Sequence, residues 1–287
     1  MSTLGHVVWL GGAPAAGKSA IARRLARKHD LRAYHTDAFT HVHHRRAVEA
    51  GLPAAVRWER ATPEERWLAR PPDELAEWSI QMNAGRFRMV LDDLAALPAE
   101  PGIVVEGTPI LPWLAAPYVA SPRQAVWLVP TPEFARARLL ERLPLAGFLE
   151  TSDPGRASEN RIAREHLFTE AIAGGARDLG LTIVHVDGAL GLDEAAAAVE
   201  AHLAPALERL GRAETTEMRT ALRREENAAI LRQLLLHAEA HPTTLSAEET
   251  PYEFACECGA SGCDATVRLS IREYERAGRA VDPAHAG

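Results

Sequence analysis

What this sequence lacks narrows its identity first. Three cysteines in 287 residues, all between Cys256 and Cys263, cannot make the spread, even-numbered framework that staples small secreted domains. No apolar run reaches the roughly 18 residues of a membrane-spanning helix. The residues after Met1 also show no basic segment followed by an apolar one, as a secretory leader would. A reducing cytoplasm is the expected setting, with no membrane partner. Basic charge is short as well: 32 Lys and Arg against 39 Asp and Glu leave a net charge of -7, the wrong balance for a surface that tracks a nucleic-acid backbone. The arginines are interspersed with carboxylates on helical faces, the pattern of a solvated surface.

What is present starts near the amino end. Gly12-Ala13-Pro14-Ala15-Ala16-Gly17-Lys18-Ser19 fits G-x-x-x-x-G-K-[ST] at every fixed position. His6–Leu10 before it is short, apolar and β-prone, and Ala20–Arg27 after it has the apolar spacing of a helix. That context separates a phosphate-binding loop from a chance match. Glycines let main-chain N–H groups turn inward around a polyphosphate, and the following helix adds its positive dipole end. Gly12 through Ala20 are therefore the expected ATP cradle. In it Lys18 reaches the β- and γ-phosphates and the Ser19 hydroxyl ligates Mg2+. A Gly-rich turn without a ligand is the alternative.

A second strand is expected to end at Thr36, which puts Asp37 just past a strand's carboxyl end, where ligands of open parallel sheets bind. Asp37 is either the base that meets a phosphoryl acceptor or, with Thr36, the cap of the next helix. Residues 38–98 read as a helical insertion on the acceptor side, with helix starts at Pro63 and Pro72. It contains His41, His43 and His44, poorly spaced for one metal on a helix. Trp58, Trp67, Trp78 and Phe87 read as packing residues, and Arg86 and Arg88 as candidates for contacting an anionic acceptor.

Gly102–Thr108 has the run of a buried parallel strand. Glu106 at its end would hold Mg2+ through water or orient the acceptor, the alternative being a structural pair with an arginine. Further strands are expected over Gln124–Val129 and Leu181–Gly188, each followed by a helix. Between the helix that Pro132 opens and a next one expected from about Glu159, 143–160 reads as a lid, flanked by Arg136, Arg138, Arg142, Arg161 and Arg164. Arg142 is the first candidate to stabilise charge on the transferring phosphoryl when the lid closes. The β-α alternation ends near Gly211, which gives an α/β domain over 1–211 with a five-stranded parallel sheet flanked by helices.

Residues 212–287 form a second region: a long amphipathic helix from Glu214 to about Glu239, then Cys256, Cys258 and Cys263 at C-x-C-x4-C with Gly and Ser in the turn. Three close thiolates suit structural Zn2+, with His237, His241, Asp264 or a water completing the set. A reduced thiol-rich turn is the alternative. The segment is too small to bury a core of its own.

On Gly12–Ser19, Thr36-Asp37-Ala38-Phe39, Val105-Glu106-Gly107 and the ordered strand–helix units through residue 210, the chain resembles the P-loop kinase family that includes chloramphenicol phosphotransferase, zeta toxins and small nucleoside or sugar kinases. The resemblance implies a P-loop NTPase fold, MgATP as cofactor, a small-molecule acceptor with a hydroxyl group, and Asp37 as its base. A nucleotide-dependent regulatory or assembly switch, with the Cys module binding a partner, is the competing expectation.

Overall fold

Strand β1 (Val7–Gly12) is buried at all six positions, which explains why its sequence is a continuous apolar run: helices cover both faces of the sheet it centres. The computed structural model describes residues 3–141, 150–189, 191–240 and 249–285. From β1 the chain passes through α1 (Lys18–Lys28), β2 (Arg32–His35), a 3-10 turn over Thr36–Phe39, α2 (Thr40–Glu49), α3 (Pro53–Arg60), α4 (Pro63–Trp67) and α5 (Pro72–Ala96). It continues with β3 (Ile103–Glu106), α6 (Pro112–Ala115), β4 (Ala125–Pro130), α7 (Pro132–Leu140), α8 (Pro154–Asp178), β5 (Ile183–Val186) and α9 (Leu192–Leu207). The C-terminal part adds α10 (Thr216–Ala240), an antiparallel pair β6 (Tyr252–Ala255) and β7 (Thr266–Leu269), and α11 (Ile271–Ala277). No described helix is long and apolar enough to cross a membrane.

The five main strands are all parallel, in the order β2-β3-β1-β4-β5. After β1 the chain crosses toward β2 at one edge, and after β3 it crosses back over β1 to β4. Connections leaving neighbouring strands in opposite directions open a crevice beyond their carboxyl ends. The Gly12–Ser19 loop and Glu106 stand at that crevice.

Strand parity divides the core into two layers. Val8, Leu10, Val104, Val126 and Leu128 face α1 and α9, packing on Ile21, Leu25, Val199 and Leu203. Val7, Trp9, Tyr34, Ile103, Val105 and Trp127 face α5 and α8, packing on Phe87, Val90, Leu94, Phe168 and Ile172. Prolines start the helices as the sequence indicates: Pro63 sits in a capping box of Thr62 and Glu65, and Pro72 opens the 25-residue α5.

Two of the boundaries that differ from expectation have a clear local cause. β1 runs on to Gly12, because the main-chain ladder to β4 continues through Gly12, which pairs with Leu128. The helix expected from about Glu159 begins at Pro154, with the Asp153 side chain accepting from Arg156 N. Residues 154–160 of the expected lid are thus the first turns of α8, and Ala157 is buried against Leu68. The rest of the expected lid up to residue 149, with Arg142, lies outside the described residues.

The C-terminal hairpin is docked on the rest of the chain. Asn227 of α10 donates to Ala255 O (3.0 Å) and accepts from Ala255 N (2.7 Å), bonding the strand as another strand would. Ser261 Oγ and Gly262 N donate to the Asp30 carboxylate between α1 and β2, and Arg219 donates to Gly259 O (2.7 Å).

Candidate functional site

The loop after β1 is shaped by a backbone that few side chains tolerate. Gly12 has φ 127, and a Cβ there would stand 2.1 Å from Leu128 O. Ala15 adopts φ 65, a conformation that costs energy for any residue but glycine and persists only where its surroundings impose it. Gly17 precedes α1, whose first turn has no acidic residue and no side-chain cap, so its N–H groups keep their capacity for a ligand. The Lys18 ammonium folds back to donate to Ala13 O at 2.6 Å.

A cavity of about 390 Å³ opens above this loop. It is lined by Pro14 through Ile21, by Asp37, Glu106 and Thr108 at the ends of β2 and β3, and by Arg23, Phe134, Arg138, Val186, Leu192 and Ala195. Lys18, Ser19, Asp37 and Glu106, four residues singled out in the sequence, therefore share one cavity. Gly12 and Ala13 form the base of the loop below it. Among the described residues, Arg138 is the α7 arginine in the cavity wall, and it also pairs with Glu141 at 2.7 Å.

Glu106 is 1% exposed. Burial alone would raise its pKa, yet the His35 hydrogen bond, the His35 and Lys18 charges and the Ser19 hydroxyl hold it below the usual glutamate range. Its partner is thus a histidine rather than the arginine considered from sequence: His35 Nδ1 lies 2.9 Å from Glu106 Oε1. Nε2 of the same ring stands 3.4 Å from Glu226 Oε1 on α10, a charge contact without hydrogen-bond geometry. Burial lowers the His35 pKa, but the two carboxylates outweigh it and hold the ring up to about 9.

Asp37 is exposed in the 3-10 turn. The capping alternative fails for it, because α2 begins after Phe39 with no side-chain cap. Its turn is fixed from below: Arg86 Nη2 donates to Thr36 O and Thr40 Oγ1, both at 2.9 Å, and its charge acts on Asp37. Gly107 permits the close approach of β3 to this turn, since a Cβ there would meet Thr36 Oγ1 at 1.7 Å. Arg86 is thus bound to the turn that carries Asp37, and Arg88 is exposed.

Other expected residues go elsewhere. His43 is fully buried and reaches Asp93 at 2.8 Å, His44 reaches Glu59 at 2.8 Å, and His41 reaches His237 at 3.3 Å, so the three histidines share no centre. Trp58 packs edge-on against Trp67 and Trp78. Arg136 pairs with Glu159, while Arg161 and Arg164 lie over Trp67.

A second site lies in the C-terminal region. Cys256, Cys258, Cys263 and His285 bring their donor atoms within 4.8 Å of one another. His285 Nδ1 is 3.5 Å from Cys256 Sγ and 3.6 Å from Cys263 Sγ. A tetrahedral Zn2+ with ordinary Zn–S and Zn–N bonds separates S from N by about 3.6 Å. The sulfurs also accept main-chain N–H groups, Asp282 N to Cys256 and Ala260 N to Cys258, as metal thiolates do. Burial, together with Cys258 and Cys256, pushes the Cys263 thiol up to about 12, a cost that a bound cation reverses. This Cys3His cluster could hold a metal such as zinc. The fourth member of the cluster is His285; His237, engaged with His41, and the Asp264 carboxylate are not part of it, and His241 lies outside the described residues.

No protein-family model matches the chain, and no curated protein matches it. Sequence reasoning missed His35, Glu226, Arg27, Arg223 and His285. For His35 a signal existed, its place directly before Thr36-Asp37 at a strand's carboxyl end. For His285, 22 residues beyond Cys263, spacing gave none.

Proposed function

We propose that this chain is a P-loop phosphotransferase that moves the γ-phosphoryl of MgATP to a hydroxyl of a small molecule such as an antibiotic, nucleoside, sugar or nucleotide-sugar. One observation carries the reading: the Gly12–Ser19 loop, the carboxylate of Glu106 and the exposed carboxylate of Asp37 line a single cavity. The donors suit the ligands. Main-chain N–H groups and Lys18 fit a polyphosphate, and the hard oxygens of Ser19 and Glu106 fit Mg2+.

In this reading Lys18 draws charge from the phosphates, and Ser19 with Glu106 holds Mg2+, Glu106 directly or through water. Asp37 accepts the acceptor's proton as attack proceeds. Residues 38–98 form the acceptor side, and Arg138 of α7 and Arg142, just before the 143–160 segment, supply positive charge on closure.

The competing reading is a nucleotide-dependent switch with a partner-binding C-terminal region. It draws support from the buried contact between His35 and Glu226, which joins α10 to the cavity wall. A mass-spectrometric screen of candidate alcohols with ATP separates the two. The kinase reading expects an acceptor that gains one phosphate, Lys18→Ala to abolish nucleotide-dependent activity, and Asp37→Asn to keep MgATP affinity while transfer falls about 100-fold or more. Equal ATP turnover by Asp37→Asn and wild type, with no acceptor consumed, overturns it in favour of the switch.

A further inference from the structure

Behind Glu106 lies a row of buried charges that the proposed chemistry does not use. His35 and Glu106 are partners across the β2–β3 ladder. They share strand parity with Ala33 and Val104, which face the α1 layer, so the His35–Glu106 contact follows from sheet register. The row continues into the C-terminal region. Glu226 stands 3.4 Å from His35 Nε2 and is gripped by Arg27 of α1 at 3.3 Å and Arg223 of α10 at 3.1 Å. Arg223 also donates to Leu31 O, and Arg27 to Asp264 O beside Cys263. His35, Glu106, Glu226, Arg27 and Arg223 are each at most 9% exposed.

A row of this kind is weak evidence for stability, because desolvating so many charges offsets most of their attraction. What it supplies is position. A carboxylate serving Mg2+ must present a fixed oxygen, and a glutamate at a strand end has rotatable bonds to lose; the His35 ring fixes one of its two oxygens. The ring needs a stop on its other edge, and Glu226 is that stop. We propose that His35 is a positioning residue for Glu106, and that α10 sets His35 through Glu226, so the C-terminal region shapes a Mg2+-nucleotide site whose cavity it does not line. The inference rests on the reading that Glu106 faces Mg2+ and nucleotide.

The test is nucleotide binding by calorimetry on the full chain, at a series of Mg2+ concentrations. Glu226→Gln is expected to raise the Mg2+ needed for half-maximal ATP binding by roughly 10-fold or more, while ATP affinity without Mg2+ changes less than about twofold. Glu106→Gln is expected to produce a similar shift, and the double variant no further one, since both act through the same carboxylate. An unchanged Mg2+ requirement in Glu226→Gln, or additive shifts in the double variant, overturns the proposal while leaving the kinase reading intact. Wild-type chain that binds no ATP at any Mg2+ concentration overturns both.

If Glu226→Gln does not fold, the wild type alone decides. In protein labelled with 15N-histidine and loaded with ATP, adding Mg2+ is expected to move the His35 ring-nitrogen resonances more than those of the distant His202. Equal, negligible shifts refute the positioning role.

Discussion

Replacing Asn227 by alanine should free the C-terminal hairpin while leaving the sheet domain folded. Asn227 is fully buried on α10. Its side chain makes two bonds to the Ala255 main chain and a third, at 2.8 Å, to Glu257 Oε1. Each neutral bond is worth about 1 kcal/mol net, and the bond to a carboxylate about 2 kcal/mol. Truncation also leaves the Ala255 N–H without its acceptor. The expected loss is therefore about 4 kcal/mol, all of it at the hairpin. Other ties remain, because Glu257 keeps Arg224 and Tyr274 and the turn keeps Asp30, so the loss should appear as local opening.

Hydrogen exchange read by mass spectrometry resolves this by segment. Amides of β6 and β7 should exchange about 1000-fold faster in Asn227→Ala, the equivalent of 4 kcal/mol, while those of β1 and β4 stay protected. Tryptophan fluorescence supplies the control, since all six tryptophans lie between Trp9 and Trp127; its urea midpoint should hardly move. Acceleration below about tenfold at β6 and β7 would refute the idea that Asn227 is the main tie. Equal acceleration in β1 would refute the locality.

Two further outcomes follow from the same structure. Protein purified without chelator should carry about one equivalent of zinc by elemental analysis; His285→Ala should lose it to a competing chelator at least about tenfold more readily than wild type. A wild-type content well below one equivalent, or a His285→Ala protein indistinguishable from it, removes the Cys3His proposal. Acid should weaken the insertion through Asp93. Burial raises its pKa, but hydrogen bonds from His43, Tyr34 and Arg46 outweigh this and hold it at about 2. Because the folded value lies below the unfolded one, the stabilisation is present above about pH 4 and is lost as pH falls through about 2. Discounted for solvent screening of this partly exposed group, it amounts to about 1 kcal/mol. The stability gap between wild type and Asp93→Asn, from urea unfolding, should shrink over that interval; a gap constant from pH 6 to 2 contradicts it.

The primary structure on its own settled the features that depend on neighbours along the chain. Periodicity and punctuation placed all five parallel strands and most helices, since apolar runs, prolines and capping residues act within a turn or two. The Gly12–Ser19 motif was equally legible, because its glycines answer local demands of the backbone. Where reading failed, the cause was distance in sequence. Lys18, Asp37 and Glu106 were each found singly, but their sharing one cavity depends on β1 pairing with β3 and on Gly107 letting the Thr36 turn approach. His35 meets Glu106, 71 residues away, and Glu226 on a helix outside the sheet. His285 joins three cysteines only after the hairpin and its following helix have folded the chain back. A buried charge looks, in a list of residues, like any charge on a helix face, and only packing that removes it from water reveals which opposite group it must meet.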